Sequence, residues 1–288
     1  MAPLQAPPPA QVQADVARAL AEDIGSGDVT ADLLPDGPAL GYVIAKEDAV
    51  VAGRPWFDAC FLALDPGWSV EWTVAEGGRI RAGQVACRFA GRVRALVSAE
   101  RCALNFLQTL SGTATRTADF VAATVGTRAR ILDTRKTRPG LRQAQKYAVR
   151  AGGGDNHRMG LYDTVMLKEN HILAAGSIAA AAARARQLHP GVPLVIEVES
   201  LDELRQALDT DCDRILVDDF SEQDLRQAVA IASGRTALEV SGGVGLERVA
   251  AIAATGVDCI SVGALTKHVR AVDFSMRLGE PPAAGAAG

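Results

Sequence analysis

In the second half of the chain, short β-branched and apolar runs alternate with longer segments whose apolar residues recur at helical spacing. This alternation is typical of parallel strands that are each followed by a helix. Six such runs occur, at residues 131–133, 165–168, 194–198, 215–218, 238–241 and 260–263. The pattern therefore predicts a parallel α/β domain.

Two serines indicate where helices begin. Ser200 and Ser221 each precede a helical pattern, and a carboxylate residue follows three positions later, at Glu203 and Asp224. In such a capping box the serine hydroxyl accepts a hydrogen bond from the backbone at the start of the helix. The two serines therefore predict strand-to-helix boundaries.

The predicted strands end on, or just beyond, a polar residue or a glycine. In a β/α barrel such ends converge at one rim, whereas an open doubly wound sheet gathers its ligands at a single switch point. Because nearly every strand end carries such a residue, we favour the barrel. The residues are Arg135, Lys168, Glu197, Asp218, Ser241 and Gly263.

The segment 41–98 has a different pattern of strand-like and helical runs from the second half of the chain. Strand-like runs at 42–52 and 70–97 flank a short helical pattern at 57–64, which predicts a separate α+β domain. A helix over 99–110 follows, with Ser98 as its predicted N-cap and Gly112 as its end. We expect this helix to connect the two domains.

Composition limits the remaining possibilities. Residues 1–12 are rich in Pro, Ala and Gln, and residues 281–288 are mostly small, so we expect disorder at both ends. No apolar run approaches the roughly 18 residues of a spanning helix, and no signal-peptide pattern is visible, so we expect a soluble cytoplasmic protein. The five cysteines are widely spaced and lack a C-x-x-C pair, which argues against a disulfide framework and a zinc site.

Positive charge is concentrated in one stretch. Between Arg128 and Arg158 the chain has nine Lys or Arg residues against only Asp133 and Asp155, a balance of +7 in a protein of net charge −4. A confined positive field suggests a small ligand with several negative charges. The pI of about 5.6 and the 5% of aromatic residues argue against nucleic-acid binding.

The first predicted strand runs into a basic loop. Arg135 and Lys136 lie in this loop, where an arginine fork matches a carboxylate or phosphate and a lysine adds a point charge. In the helix that follows, cations recur every four residues, which brings like charges together on one face. That face is either solvated or turned toward an anion. Its residues are Arg138, Arg142, Lys146 and Arg150.

A glycine triplet at 152–154 ends this basic helix, and His157 and Arg158 follow almost at once. Glycine permits a left-handed turn and close approach of the backbone to a ligand. We therefore interpret His157 and Arg158 as binding or catalytic residues, whereas His171 is equally compatible with a structural role.

The next three strand ends combine one cation with two carboxylates. Lys168 ends an apolar strand and needs an anionic partner if it points inward. Glu197 and Asp218 end the two strands after it. Two carboxylates beside a phosphate site commonly hold Mg²⁺, although salt bridges to the basic segment would also explain them.

The last two predicted strands run into Ser241-Gly242-Gly243 and Ser261-Val262-Gly263. Barrel enzymes frequently bind phosphate at this position, through backbone N–H groups that glycine leaves accessible. Because the two tripeptides occupy successive strand ends, they predict a phosphate site.

At these positions the sequence resembles the quinolinate phosphoribosyltransferases, also called nicotinate-nucleotide pyrophosphorylases (carboxylating). The similar segments cover almost the whole chain and lie at 22–30, 105–115, 133–140, 152–158, 168–171, 196–199, 241–243 and 261–266. The resemblance implies an N-terminal α/β sandwich domain on an incomplete β/α (TIM-like) barrel. It places a disordered leader at 1–12, the N-terminal domain at 13–112, the barrel at 113–268 and a C-terminal segment at 269–288 that returns to the N-terminal domain.

The resemblance also implies a reaction. Quinolinate and phosphoribosyl pyrophosphate would give nicotinate mononucleotide, pyrophosphate and CO₂, with Mg²⁺, in de novo NAD biosynthesis. It implies a homodimer, with a hexamer of three dimers as the alternative, and no nucleic-acid or membrane partner. Both substrates are multiply anionic, in agreement with the confined positive charge.

Carried over by motif, the family's roles fall on several of the residues above. Thr134, Arg135, Lys136, His157, Arg158 and Lys168 would bind quinolinate, with Arg101 contributed across the dimer. Glu197 and Asp218 would hold the ribose hydroxyls and the metal, and Lys136, Lys168, Glu197 and Asp218 would be catalytic. Ser241, Gly242, Gly243, Ser261, Val262 and Gly263 would bind the 5-phosphate.

Two positions depart from the family pattern: Asp219 stands where Asn is more frequent, and Lys267-His268 replaces His-Ser. Both changes alter charge near the rim. A related family associated with molybdenum transport shares the architecture and the Thr-Arg-Lys-Thr loop, and a third interpretation makes the basic face a regulatory anion sensor. Asn156-His157-Arg158 and Lys168 argue against the transport family, and a sensor leaves Glu197 and Asp218 unexplained.

Overall fold

The computed structural model describes residues 4–281, which form two compact units. The first unit contains residues 4–118, 138–153 and 268–281, and the second contains 119–137 and 154–267. The predicted boundary at 113 therefore differs from the observed division, because residues 113–118 and 138–153 make most of their contacts within the first unit.

The helices and strands follow one another in this order. The first half contains α1 (Pro9–Ile24), a 3₁₀ turn (Ala31–Leu33), β1 (Pro38–Ala45), β2 (Ala49–Val50), α2 (Arg54–Leu64), β3 (Ser69–Trp72), β4 (Arg79–Ile80), β5 (Val85–Arg92) and α3 (Val93–Ala123). The second half contains β6 (Arg130–Leu132), α4 (Arg142–Ala151), β7 (Val165–Leu167), α5 (Glu169–Ala175), α6 (Ile178–Leu188), β8 (Leu194–Val198), α7 (Leu201–Leu208), β9 (Arg214–Asp218), α8 (Glu222–Ala232), β10 (Ala237–Ser241), α9 (Leu246–Ala253), β11 (Cys259–Ser261), α10 (Ala264–Lys267) and β12 (Phe274–Leu278).

The first unit is built on an antiparallel sheet with the strand order β12-β1-β5-β3, beside a two-stranded β2-β4 ribbon. Aromatic side chains fill its core, and Phe61 stacks on Trp68 with ring centroids 5.1 Å apart. The C-terminal strand β12 pairs with β1 from Gly41 opposite Leu278 to Ala45 opposite Phe274. The chain thus returns to the sheet with which it began.

The expected disorder at 1–12 is wrong for residues 9–12, because α1 begins at Pro9. Proline suits a first helical turn, where its missing N–H costs nothing. Val12, Val16 and Leu20 recur every four residues and are buried in the core of the first unit, so burial of this face stabilises the helix. Residues 1–3 and 282–288 lie outside the described residues.

The predicted boundaries of the 99–110 helix are wrong, because α3 runs without interruption from Val93 to Ala123. Ser98 lies inside it and donates its hydroxyl to Asp28 Oδ2 over 2.8 Å. Gly112 also lies inside it, and a Cβ there would collide with the backbone carbonyl oxygen of Arg270. This glycine therefore permits close packing within the first unit, which offsets its cost of about 0.5–1 kcal/mol in a helix.

The second unit is built on a six-stranded parallel sheet with the order β6-β11-β10-β9-β8-β7. All six strands predicted from the β-branched runs are confirmed, and the serine caps at Ser200 and Ser221 accept from the backbone N–H groups of Glu203 and Asp224. Each strand from β7 to β11 neighbours the next, and β11 pairs with β6. This is the cyclic order of a barrel, interrupted where β6 and β7 do not pair among the described residues.

The outer edge of β6 carries a short additional segment. Asp155 donates its backbone N–H to Ile131 O over 2.8 Å and accepts from the N–H of Asp133 over 3.1 Å, in a parallel bridge. The loop after α4 is thereby fixed to the sheet.

Two further expectations concern the whole of residues 4–281. All five cysteines are buried with free thiols, so they pack as small residues inside the two units. No helix in this range is long and apolar enough to cross a membrane.

Candidate active site at the carboxyl ends of the strands

The strand ends of the second unit converge, as the barrel prediction requires. Asp218 is paired in register with Ser241, and a Cβ placed on Gly242 would lie 3.1 Å from the Asp218 carboxylate. On the other side, a Cβ on Gly263 would lie 2.9 Å from Lys136 Cδ. The ends of β9 and β10 and those of β11 and β6 therefore lie side by side.

A lysine and a glutamate meet across β7 and β8. The ammonium of Lys168 forms an ion pair and hydrogen bond with Glu197 Oε2. Glu197 is the anionic partner that the position of Lys168 predicts. The Lys168 side chain is 46% exposed and that of Glu197 is 13% exposed, so the pair is open to solvent and to an incoming ligand.

The guanidinium group of Arg158 lies against β7, the strand that Lys168 follows. Burial lowers the pKa of Arg158, and the positive charge of Arg135 lowers it further, while Asp163 and Glu197 act in the opposite direction. Arg158 is oriented by hydrogen bonds to Thr164 O, at 3.3 Å, and to Met166 Sδ, at 3.5 Å. An anion bound beside Arg158 would offset the effect of the neighbouring positive charge and favour the charged guanidinium.

Two threonine hydroxyls fix the basic loop, one from the loop itself and one from α10. Thr134 Oγ1 accepts the backbone N–H of Lys136 over 3.1 Å, and Thr266 Oγ1 donates to Lys136 O over 3.0 Å. Thr134 is therefore engaged in a local turn, while the side chain of Lys136 is exposed.

His157 has protein partners at both ring nitrogens. Nδ1 accepts the backbone N–H of Arg158 over 2.6 Å, and Nε2 lies 3.2 Å from Glu239 Oε2. The ring thus supports the loop that carries Arg158. The predicted contact between this imidazole and a substrate carboxylate stays a prediction.

Asp133 supports the same loop from a second side. It is fully buried and accepts the backbone N–H of His157 over 2.9 Å and the side-chain amide of Asn156 over 2.6 Å. A buried carboxylate is stable only when such donors compensate its desolvation.

Glu239 is the site residue that the sequence analysis missed. It lies in the middle of β10, is fully buried and accepts from Arg214 Nη1 over 2.8 Å. Burial alone would raise the pKa of Glu239, but the adjacent His157 ring and the hydrogen bond from Arg214 hold it below its ordinary value of 4.5. The available signal was an acidic residue inside an apolar strand run.

The two predicted phosphate-binding tripeptides are not equivalent. Ser261 is buried and donates its hydroxyl to Val240 O over 3.4 Å, and Val262 donates its N–H to Leu132 O over 2.9 Å. Gly242 and Gly243 have φ angles of +93° and +53°, which favour glycine. The turn at 241–243 therefore has the glycine-dependent backbone conformation that a phosphate-binding turn would need, and phosphate binding by the two tripeptides stays a prediction.

The carboxylates at the rim fit a cation that is shared with a ligand. A cleft there is lined by four glutamates, and the charge of Glu169, followed by burial and the charge of Glu203, raises the pKa of Glu199. Among residues 4–281 no group of three or more His, Cys, Asp or Glu residues could hold a metal by itself. Glu197 and Asp218 suit Mg²⁺, which commonly takes one or two carboxylates and completes its coordination with water and substrate phosphates.

The remaining predicted residues lie outside this group or have structural roles. Arg101 is exposed on α3, in the first unit. His171 Nδ1 accepts the backbone N–H of Lys168 over 3.1 Å and fixes the start of α5. Of the predicted basic row, Arg138 lies before α4 and is exposed, whereas Lys146 lies within α4 and is fully buried, so the four residues do not form one uniformly solvated helical face. Asp219 has φ +56°, a conformation that Asn and Asp tolerate best among non-glycine residues.

Comparison with known proteins agrees with this geometry. The family described as quinolinate phosphoribosyl transferase, N-terminal domain, matches residues 28–111, and the corresponding C-terminal domain matches 113–277. The nicotinate-nucleotide pyrophosphorylase (carboxylating) of Mycobacterium leprae is 42% identical over 274 residues, which cover 91% of this chain and 95% of the relative. A mitochondrial quinolinate phosphoribosyltransferase (decarboxylating) of Nicotiana tabacum is 40% identical over 303 residues, which cover 96% and 85%.

A solved structure gives the same result. The nicotinate-nucleotide pyrophosphorylase of Francisella tularensis superposes with a TM-score of 0.93 at 43% identity and covers 96% of this chain and 98% of its own. The predicted fold class, α/β with an N-terminal sheet domain and a C-terminal β/α unit, is confirmed. Because two family models match nearly the whole chain and the relatives share about 40% of its residues over their length, the chain belongs to the quinolinate phosphoribosyltransferase family.

Proposed function

We propose that this chain performs its family's reaction at the rim of the second unit. The activity is the transfer of the phosphoribosyl group from phosphoribosyl pyrophosphate to quinolinate with decarboxylation, a step of NAD biosynthesis. The observation that carries the placement is the Lys168–Glu197 ion pair at the ends of β7 and β8, with Arg158 held against Met166 of β7. Cations gathered at strand ends, next to a glycine turn, match two multiply anionic substrates.

Quinolinate carries two carboxylates, and the cationic group provides for both. Arg135 and Arg158 supply planar donors that fit a carboxylate. Lys168 supplies a point charge that is paired with Glu197 in the absence of substrate. A carboxylate of bound quinolinate would replace Glu197 as the partner of Lys168. Binding of quinolinate would thereby free the Glu197 carboxylate for the next step.

Glu197 and Asp218 are placed to act on the ribose. As pyrophosphate leaves, positive charge builds at the ribose carbon, and carboxylates nearby stabilise that state more than the ground state. The ring nitrogen of quinolinate then bonds to this carbon. When the carboxylate on the neighbouring ring carbon leaves as CO₂, the electron pair of the broken C–C bond stays on that carbon. The adjacent pyridinium nitrogen stabilises the pair, and the carbon then takes a proton from solvent.

The glycine turns and Lys136 would bind the phosphate groups of the substrates. Ser241, Gly242 and Gly243 present backbone donors for the 5-phosphate beside Asp218. Lys136, exposed next to Gly263, provides a mobile cation for an anionic group of either substrate. Mg²⁺ held by Glu197 and Asp218 would neutralise the leaving pyrophosphate.

The partner and location are parts of the same proposal. A homodimer, or a hexamer of three dimers, would let Arg101 act on the site of the neighbouring subunit. We keep the cytoplasm as the proposed location, although the Nicotiana tabacum relative is named as mitochondrial.

Labelled CO₂ tests the activity. We expect quinolinate labelled in the departing carboxylate to release CO₂ only when phosphoribosyl pyrophosphate and Mg²⁺ are present, with nicotinate mononucleotide formed in equal amount. Nicotinate as sole acceptor serves as the control and should give little product. Phosphoribosyl pyrophosphate-independent binding of quinolinate without CO₂ release would favour an anion sensor.

Complementation tests the role of Arg101. The variants Arg101→Ala and Lys168→Met should each be inactive alone. If Arg101 acts across a dimer, mixed dimers regain one complete site, and random exchange restores about a quarter of the wild-type activity. Mixtures without any recovery would place Arg101 outside the neighbouring site.

A further inference from the structure

We infer that Glu239 is a positioning residue for the active site: together with Arg214 it holds the imidazole of His157 in one tautomer and thereby fixes the loop that carries Arg158. This inference rests on the proposed function only for its effect on turnover. The structural part concerns the free protein and is testable without substrate.

The first step is the burial of Glu239. The carboxylate is inaccessible to solvent, two residues before the glycine turn at 241–243. Such a group requires donors on its oxygens. Arg214 donates over 2.8 Å and the His157 ring nitrogen lies 3.2 Å away, so the network joins β9, β10 and the loop after α4.

The second step is the protonation state of His157. Nδ1 accepts the backbone N–H of Arg158, and an imidazole nitrogen that accepts carries no proton. The single ring proton is therefore on Nε2, which faces Glu239. In this arrangement the ring is neutral, and the ion pair of the network is the one between Arg214 and Glu239.

The third step connects the ring to the substrate site. Asp133 holds the backbone of His157, and Glu239 holds its side chain. The N–H of Arg158 is bonded to the same ring, so the position of Arg158 depends on the orientation of the imidazole. Loss of the Glu239 acceptor would allow the ring to turn, release the Arg158 N–H and displace the guanidinium.

Nitrogen NMR of the wild-type protein labelled at histidine tests the tautomer directly. We expect the His157 signals, assigned by their loss in His157→Gln, to show the ring proton on Nε2 and none on Nδ1 at pH 7. Either an Nδ1–H ring or an imidazolium at pH 7 would overturn the inference, whatever the enzyme activity proves to be. Absence of CO₂ release with the expected tautomer would instead refute the proposed function.

Kinetics of variants test the positioning role. In Glu239→Leu we expect the KM for quinolinate to rise about tenfold or more, as small displacements of a binding group typically cost, while the KM for phosphoribosyl pyrophosphate stays within about twofold. Glu239→Gln keeps an acceptor and should recover part of the loss. Glu222→Gln, the same chemical change at an exposed position on α8, is the matched control and should behave as wild type.

A second pair of variants, at His157, keeps the inference testable if the Glu239 variants do not fold. His157→Gln retains an amide that can donate to Glu239, and His157→Leu does not. If the ring only supports the loop, His157→Gln retains much more affinity for quinolinate than His157→Leu. Equal loss in both variants would show that the imidazole itself is needed at the substrate, and would contradict a positioning role for Glu239.

Discussion

The rim and the interior of the second unit both pair a carboxylate with cations, but in different surroundings. At the rim, Lys168 and Glu197 form a contact that solvent reaches, with Lys168 46% exposed. In the interior, Glu239 is fully buried between Arg214 and His157. The exposed pair contributes little to folding, whereas the buried group is strongly destabilised if a partner is lost.

The difference in solvent access suits the two ion pairs to different tasks: one can change partners during turnover, and the other holds its neighbours in position. A pair in water can give up its partner to a substrate carboxylate at small cost, so Lys168 and Glu197 suit groups that change partners during turnover. A carboxylate without access to water has no alternative partner, so Glu239 keeps its neighbours in place. Perturbing the rim pair should therefore alter catalysis with little effect on stability, whereas perturbing the buried pair should lower stability in addition to displacing Arg158.

The largest effect is expected in the interior. Arg214→Met leaves Glu239 buried with its cation removed, and the free energy of unfolding should fall by about 3–5 kcal/mol. Urea denaturation at pH 7 measures it. The double variant Arg214→Met with Glu239→Leu removes both charges and should lose less than Arg214→Met alone. Arg226→Met, exposed on α8, is the control, and a loss in Arg214→Met as small as in this control would contradict the comparison.

At the rim the expected loss is catalytic. Lys168→Met should lower kcat/KM for quinolinate by at least about a hundredfold, or roughly 3 kcal/mol, because a charge-assisted contact to a carboxylate is removed. Its free energy of unfolding should change by less than about 1 kcal/mol. Steady-state kinetics and urea denaturation of one preparation give both values. Lys46→Met, at an exposed position of the first unit, controls for the loss of a lysine.

The pH dependence of stability should reveal the contribution of the buried Glu239 carboxylate. Because the pKa of Glu239 is lower in the folded protein than its ordinary 4.5, its contribution to stability is complete above that value and is lost as pH falls below it. Between pH 5.5 and 3.5 the unfolding free energy of the wild type should therefore fall more steeply than that of Glu239→Gln. Parallel curves would show that Glu239 gains nothing from its partners.

The smallest effect is that of salt. Added NaCl screens exposed charges much more than buried ones, so the KM for quinolinate should rise by roughly twofold to fivefold between 50 and 500 mM. The stability difference between Arg214→Met and the wild type should stay nearly constant over this range. A salt-independent KM would argue against capture of the substrate by exposed cations.

Much of the second unit could be predicted from its sequence. The β-branched runs and the serine caps marked all six strands, and the residues at their ends lie at one rim because parallel strands share a direction. Closure could not be predicted, since β6 and β7 have the same apolar character as the paired strands. Whether two edges meet depends on the path of the chain between them.

The misses in the site have a common cause. Glu239 and Asp133 lie within or beside strands, and the alternation of a strand does not reveal which buried position faces a distant histidine or arginine. The end of α3 was misplaced for a similar reason, because the close approach at Gly112 involves Arg270, far away along the chain. The residue types at strand ends can be recognised from a short stretch of sequence. The residues that support them lie far away along the chain and cannot be recognised in this way.

The unpaired side of β6 has one last consequence. Backbone groups of Ile131 and Asp133 bond to Asp155 there, two residues before His157. A seventh regular strand in that position would occupy the same peptide groups and displace the segment. The open edge of the barrel is thus the binding site for the loop that carries His157 and Arg158. We expect a variant engineered to close the barrel with a seventh strand to lose affinity for quinolinate.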